Sequence, residues 1–169
     1  MTNMRRGFTM IELIFVIVII GILAVIALPK LTATRTDAKV SSIIANTKSF
    51  TNDVKAFYTA QGQRGFEAAN IPDITDVPLF TDTKCTTRAT GTELGDGTTV
   101  YICTENNAAN AADVLTFTYS VDGNNVPQLT VANGTGSNNP DIAAGVQNDQ
   151  TIKTMTAQPI RLGGSGIKR

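Results

Sequence analysis

Apolar and polar positions follow one another along this chain with three different periods. From Phe8 to Leu28 the run is apolar almost throughout, interrupted by Thr9, Glu12 and Gly21, and Pro29 follows it. As a helix at about 1.5 Å per residue this run reaches about 31 Å, close to the roughly 30 Å hydrocarbon core of a bilayer. Farther on, Val40, Ile43, Ile44, Thr47, Phe50, Thr51, Val54, Phe57 and Tyr58 recur at steps of three and four. Asp37, Lys39, Lys48, Asp53 and Lys55 lie between them, so residues 29–61 predict an amphipathic continuation of the helix with one buried face. Gln61-Gly62-Gln63 stops the run, with Gly62 suited to the residue after the C-cap. Phe8 to Ala60 thus predicts one helix, interrupted or bent near Pro29 and about 80 Å long if continuous.

The third period is two. In Val114–Val121, Leu115, Phe117, Tyr119 and Val121 fall on one face and Thr116, Thr118 and Ser120 on the other, the alternation of a half-buried strand. Thr98–Cys103 predicts a strand after the Gly95-Asp96-Gly97 turn, and Gln128–Val131 a return strand after the Asp122–Asn125 turn. Residues 63–97 read as a connecting region with short elements. Residues 133–150 read as a loop or partly disordered segment, and Ile152–Ile160 as a weak edge strand. A mobile tail is expected around Gly163-Gly164-Ser165-Gly166. The aromatic bulk of Phe50, Phe57 and Tyr58 suits packing on a sheet better than a free coiled coil. The fold class expected is therefore α+β: a long N-terminal helix, half membrane-spanning and half amphipathic, packed on a small antiparallel sheet within an extracytoplasmic β-rich domain, residues 62–169.

Composition narrows the function. The 169 residues carry 14 basic and 14 acidic side chains and no His or Trp. A balanced charge gives no general grip on nucleic acid, and none is expected as a partner. Without His the commonest neutral-pH acid/base and metal ligand are missing. No pair of Ser, Tyr, Lys or Asp is singled out by spacing, so no catalytic residues and no enzyme are expected. The two cysteines, Cys85 and Cys103, lie outside the apolar run, and in an exported domain they predict a disulfide, with two unrelated buried thiols as the alternative. On the chain-entropy view such a bridge stabilises by roughly 3 kcal/mol.

The N-terminal segment admits three readings. A membrane-spanning helix fits its length, and Arg5 and Arg6 favour a cytoplasmic N-terminus, although Lys30, Arg35 and Lys39 beyond the other end weaken that orientation. A cleaved signal peptide finds tolerable residues at Val25-Ile26-Ala27, but an acid at Glu12 does not suit its apolar core. A plain anchor leaves Glu12 to snorkel or to be capped within its own helix, where the orphan N–H groups of the first turn favour an anion. An intramembrane acid is by default a functional residue, and its partner decides the role.

The residues Arg5-Arg6-Gly7 followed by Phe8-Thr9-Met10-Ile11-Glu12-Leu13 closely resemble the processing site of type IV pilins and of the pseudopilins of type II secretion and competence systems. The likeness extends through Ile19-Ile20-Gly21-Ile22-Leu23-Ala24 to Pro29, and Met10 stands where Leu is more usual. The resemblance implies a leader, residues 1–7, cut after Gly7, and N-methylation of Phe8 by a prepilin peptidase/N-methyltransferase. Residues 8–28 then become the transmembrane and filament-core helix of a single-pass bacterial inner-membrane protein, its C-terminal domain periplasmic, or extracellular once assembled. The assembly residues implied are Phe8, Glu12 and Pro29, with Glu12 facing the Phe8 amine of another subunit. The partners implied are further copies, other pilins or pseudopilins, and an inner-membrane assembly platform. Removing the leader leaves 12 basic against 14 acidic side chains, a net of −2.

The function this implies is a structural subunit of a pilus-like filament or of a secretion pseudopilus. A competence, DNA-uptake or adhesive minor subunit, or a tethered binding domain that never polymerises, are the alternatives. No cofactor is expected. Calcium, which major pseudopilins often bind, has candidate loop oxygens in Asp82, Asp96, Asp113, Asp122 and Asp141, without EF-hand spacing and with no ligand set assigned. Asn133-Gly134-Thr135 matches a glycosylation acceptor in form alone.

Overall fold

The computed structural model describes residues 8–104, 111–136 and 138–163, with residues 28–33 in backbone only. Gly7, the 105–110 segment and most of the expected C-terminal tail lie outside the described residues. The chain divides into two units between Thr36 and Asp37.

The first unit holds the start of α1 (Met10–Glu67). Every described side chain from Phe8 to Ala27 is exposed. Among the described residues, the helical stretch Met10–Ala27 is long and apolar enough to cross a membrane. Helical assignment continues through Pro29, and the position in α1 with non-helical dihedrals is Gly62, at φ 68° and ψ 179°. The helix is thus not interrupted at Pro29, where an interruption or a bend was expected. Proline's fixed φ is itself helical, and it withdraws a single donor. The Gly62 conformation is one that residues with a Cβ essentially never adopt. The helix resumes after it and ends at Glu67, rather than stopping at Gly62 as expected.

In the second unit, residues 37–67 of α1 lie on a four-stranded antiparallel sheet of order β1-β2-β3-β4: β1 (Thr99–Cys103), β2 (Asp113–Val121), β3 (Pro127–Asn133) and β4 (Ile160–Arg161). The α+β class expected from the patterns is the one observed. The period-four stripe enters the core through Ile43, Phe50 and Val54, with Val40, Ile44, Phe57 and Tyr58 packed at its margin. Thr47 and Thr51 are also buried, and each hydroxyl donates to a carbonyl one turn back, on Ile43 and Thr47. Opposite them, Leu115, Phe117 and Tyr119 of β2 are fully buried, as their alternation predicts. Phe50 meets Phe117 edge-on at 5.0 Å between ring centroids, and Phe66 meets Tyr119 at 5.1 Å.

The β2–β3 turn is held by Asp122, whose carboxylate accepts from the amides of Asn124 and Val126. In the long connection only α2 (Ile71–Ile74) is helical, and Asn70, Phe80 and Arg88 make isolated bridges. The Cys85–Cys103 disulfide joins this connection to the end of β1, with Cα atoms 6.1 Å apart.

Two expectations are corrected. The 133–150 segment contains a helix, α3 (Pro140–Asn148), and Ile152–Ile160 is mostly a helix, α4 (Gln150–Ala157), with strand confined to Ile160–Arg161. Pro140 stands at the first turn of α3, where its missing donor is harmless. Ile142, Ala143 and Val146 form its buried face. Gly145 is a packing residue, because a Cβ there would lie 2.7 Å from Val40 Cγ2. Asp149 starts α4 as an N-cap, accepting from Thr151 N at 2.8 Å and Ile152 N at 3.3 Å.

The turn after Gly62 is fastened through the Glu67 carboxylate. The Tyr119 hydroxyl donates to Glu67 Oε1 at 3.0 Å, which also accepts from Gln63 Nε2 at 3.0 Å. Desolvation, then the bond to Glu67 and its charge, push the Tyr119 phenol well above its ordinary value. In the unfolded chain the phenol ionises near pH 10, so the stability carried by its neutral form is full below about pH 10 and is lost as pH rises further. Tyr119→Phe should therefore cost roughly 1–2 kcal/mol in neutral urea unfolding and shrink the alkaline loss of stability. An unchanged alkaline limb in the variant would refute the assignment.

Candidate processing and assembly site at the helix N-terminus

The first turn of α1 leaves N–H groups without intrahelical partners. Thr9 and Glu12 satisfy them as a reciprocal pair. Thr9 precedes the helix and its carbonyl accepts from Leu13 N at 3.2 Å. Its hydroxyl accepts from Glu12 N at 3.3 Å. Glu12 reaches back, and its Oε2 accepts from Thr9 N at 2.9 Å and from the Thr9 hydroxyl at 2.8 Å. This is a capping box, a Thr at the cap and a Glu three residues on. Its anion also sits at the positive end of the helix dipole.

Both bonds use Oε2. Oε1 has no partner among the described residues. A proton-rich or cationic group from outside could therefore approach Glu12 without dismantling the cap. The box is built from Thr9 and Glu12 alone, so a cut between Gly7 and Phe8 removes none of its atoms. Phe8 is 80% exposed and lies just ahead of the box, with Met10 and Ile11 exposed beside it.

Of the residues singled out in the sequence, Glu12 lies in the first turn of α1 and Phe8 just ahead of that helix. Gly7 lies outside the described residues. Pro29 lies farther along the helix backbone, and the two cysteines are in the second unit. Thr9 was missed as a site residue. Its signal was present, because Thr9-Met10-Ile11-Glu12 has the spacing of a capping box before an apolar run.

Asp82, Asp96, Asp113 and Asp122 are occupied locally, whereas Asp141 is an exposed residue in the first turn of α3. Asp82 accepts from the amides of Thr86 and Thr87, Asp96 from Val121 N, and Asp113 from Thr135 N and its hydroxyl. Among the described residues no group of three or more His, Cys, Asp or Glu side chains could hold a metal ion. Thr135 spends its hydroxyl on Asp113 at 2.6 Å in a half-buried contact, while Asn133 is exposed.

Residues 2–28 match the family described as the prokaryotic N-terminal methylation motif. No curated protein and no solved structure matches the chain. A prepilin-type methylation motif and an N-terminal apolar helix are thus present, the combination found in the pilin and pseudopilin superfamily.

The cap is testable on its own. Thr9→Val removes both hydroxyl contacts and should cost the first turn about 1 kcal/mol. In the detergent-solubilised chain, amides of residues 10–13 should exchange several-fold faster than in the parent, with those of β2 unaffected. Equal exchange in the two chains would show that the box does not hold the helix end.

Proposed function

We propose that this chain is a structural subunit of a pilus-like filament or secretion pseudopilus, stored in the inner membrane and assembled after its leader is removed. The observation that carries this reading is the methylation motif set directly before an exposed apolar helix whose acid is held through Oε2, with no partner for Oε1 among the described residues. A prepilin peptidase cuts between Gly7 and Phe8 and methylates the new terminus. The Phe8 amine is then a cation at neutral pH. In the filament it faces Glu12 Oε1 of a neighbouring subunit, in surroundings poor in water where an unpaired charge is strongly unfavourable. Pairing fixes the axial register, and apolar contact along Ile11, Leu13, Phe15 and Ile17–Ile20 supplies most of the attraction. Pro29 marks the point where the helix can bend most readily, since the carbonyl one turn before it lacks its usual donor.

The capping box supports a storage state. Before assembly Glu12 is held by its own helix, so the protomer carries no wholly unpaired acid in the membrane. A competence or adhesive role within the same architecture has no separate observation in its favour.

Two measurements test the reading. Intact-mass analysis of the protein purified from membranes should give a chain beginning at methylated Phe8. A chain beginning at Met1, or at Leu28, would point instead to a tethered domain or a secreted one. Glu12→Leu should leave the protein inserted in the membrane and abolish or cripple filament formation by electron microscopy. Filaments at the parent's yield would overturn the pairing.

A further inference from the structure

The second unit contains two separate hydrophobic clusters. The main core joins α1 to the sheet. The smaller one consists of Phe80, Cys85, Cys103 and Ala111, with Tyr101 packed against it. The loop between Phe80 and Arg88 hangs from the main core at a neck formed by Leu79 and Ala89. Both neck residues belong to the main core, and Ala89 N donates to Leu79 O at 2.9 Å.

Inside the loop the polar contacts are self-contained. Thr81 N donates to Thr87 O, Cys85 N donates to Asp82 O, and the Asp82 carboxylate accepts from the amides of Thr86 and Thr87. Every hydrogen bond described for residues 81–87 closes within those residues. Thr81, Thr83, Lys84, Thr86 and Thr87 are exposed, and Cys85 is the one buried residue of that stretch. The covalent link from Cys85 to Cys103 is therefore the directional tie between the loop tip and the sheet. Cys85 also holds a left-handed backbone, φ 58°, which a residue with a Cβ disfavours and will leave when released.

We propose that the Cys85–Cys103 disulfide is a redox-operated latch: its reduction frees the 81–87 loop and leaves the main core folded. Cys103, though itself buried, lines an open cavity of about 250 Å³ with Ser42, Asn46 and Thr104, and this is the side from which a small dithiol would attack, Cys85 being fully buried. An attacking thiolate displaces one cysteine and forms a mixed disulfide with the other. A second thiol of the same reductant then resolves it. Two electrons pass to the bridge, which becomes two cysteine thiols, and the reductant leaves as its own disulfide. The consequence is a surface with two states. Thr83, Lys84, Thr86 and Thr87 are presented in one fixed arrangement while the bridge is closed, and become a flexible segment once it opens. The latch does not rest on the filament reading, since it concerns the second unit alone.

Amide hydrogen exchange on the full-length chain in detergent, with and without dithiothreitol, tests the latch. After reduction, amides of residues 82–87 should exchange at least about tenfold faster, while those of β2 keep their rates, the mark of a local opening. The Cys85→Ser/Cys103→Ser double variant should reproduce that pattern without reagent. Loss of β2 protection in either experiment would mean that the bridge supports the whole fold. Unchanged exchange at 82–87 would mean that the Asp82 contacts hold the loop unaided. Either result overturns the proposal.

Discussion

The second unit depends on the aromatic seam between α1 and β2. Phe50 meets Phe117 edge-on, and Phe66, brought in by the turn after Gly62, packs against Tyr119 and Tyr58. Rings of this size dominate core energetics and fix geometry as well as area. The remaining elements follow from what the seam leaves uncovered. The α1 stripe is longer than the sheet contact needs, and its N-terminal end at Val40 is met by α3, where Gly145 allows the approach. Ile152 of α4 is fully buried beside it. Helices α3 and α4 therefore complete the core that the three longer strands begin.

Gly62 makes the seam possible in the first place. A straight helix would carry Phe66 onward along the original axis. The break at Gly62 resets the direction, so that Phe66 is fully buried and Glu67 reaches the Tyr119 hydroxyl. A substitution at Gly62 is strained by its positive φ alone, although open space surrounds its missing Cβ. Backbone conformation, rather than packing volume, is what this glycine supplies.

The parts legible in the sequence were those with an unambiguous period. The stripe from Val40 to Tyr58 and the alternation from Leu115 to Val121 each repeat long enough to exclude the other secondary structure. Helices α3 and α4 were not legible, because Asn, Gly, Ala and Thr dominate them and their apolar positions are few. In α3 just Ile142, Ala143 and Val146 face inward, and in α4 Ile152 alone is buried. Local capping chemistry carries such helices. Pro140 and Asp149 supply that chemistry, but they stand among turn-forming neighbours and were not read as helix starts. The same lesson holds at the N-terminus. Phe8 and Glu12 stood out as a processed end and an unusual acid, whereas Thr9 looked like an ordinary polar residue until its hydroxyl was seen to face Glu12.

That contact changes how the acid should be understood. An ionised carboxylate in an apolar setting is tolerated when its lone pairs are met, and a carboxylate has two oxygens with which to meet them. Here Oε2 serves the helix that carries it, and Oε1 is the oxygen the proposal assigns to a second partner. In the proposed filament, the gain on assembly is therefore the difference between a half-satisfied and a fully satisfied acid, smaller than the rescue of a bare charge. Because that difference is modest, the pair can discriminate between registers without binding subunits irreversibly. The bulk of the attraction then falls to the exposed Ile, Leu, Val and Phe side chains of the same helix, which are non-directional and tolerate many offsets. In the proposed filament, directional chemistry at Glu12 and non-directional burial along α1 would thus answer two different needs: the first selects where subunits stop, and the second holds them there.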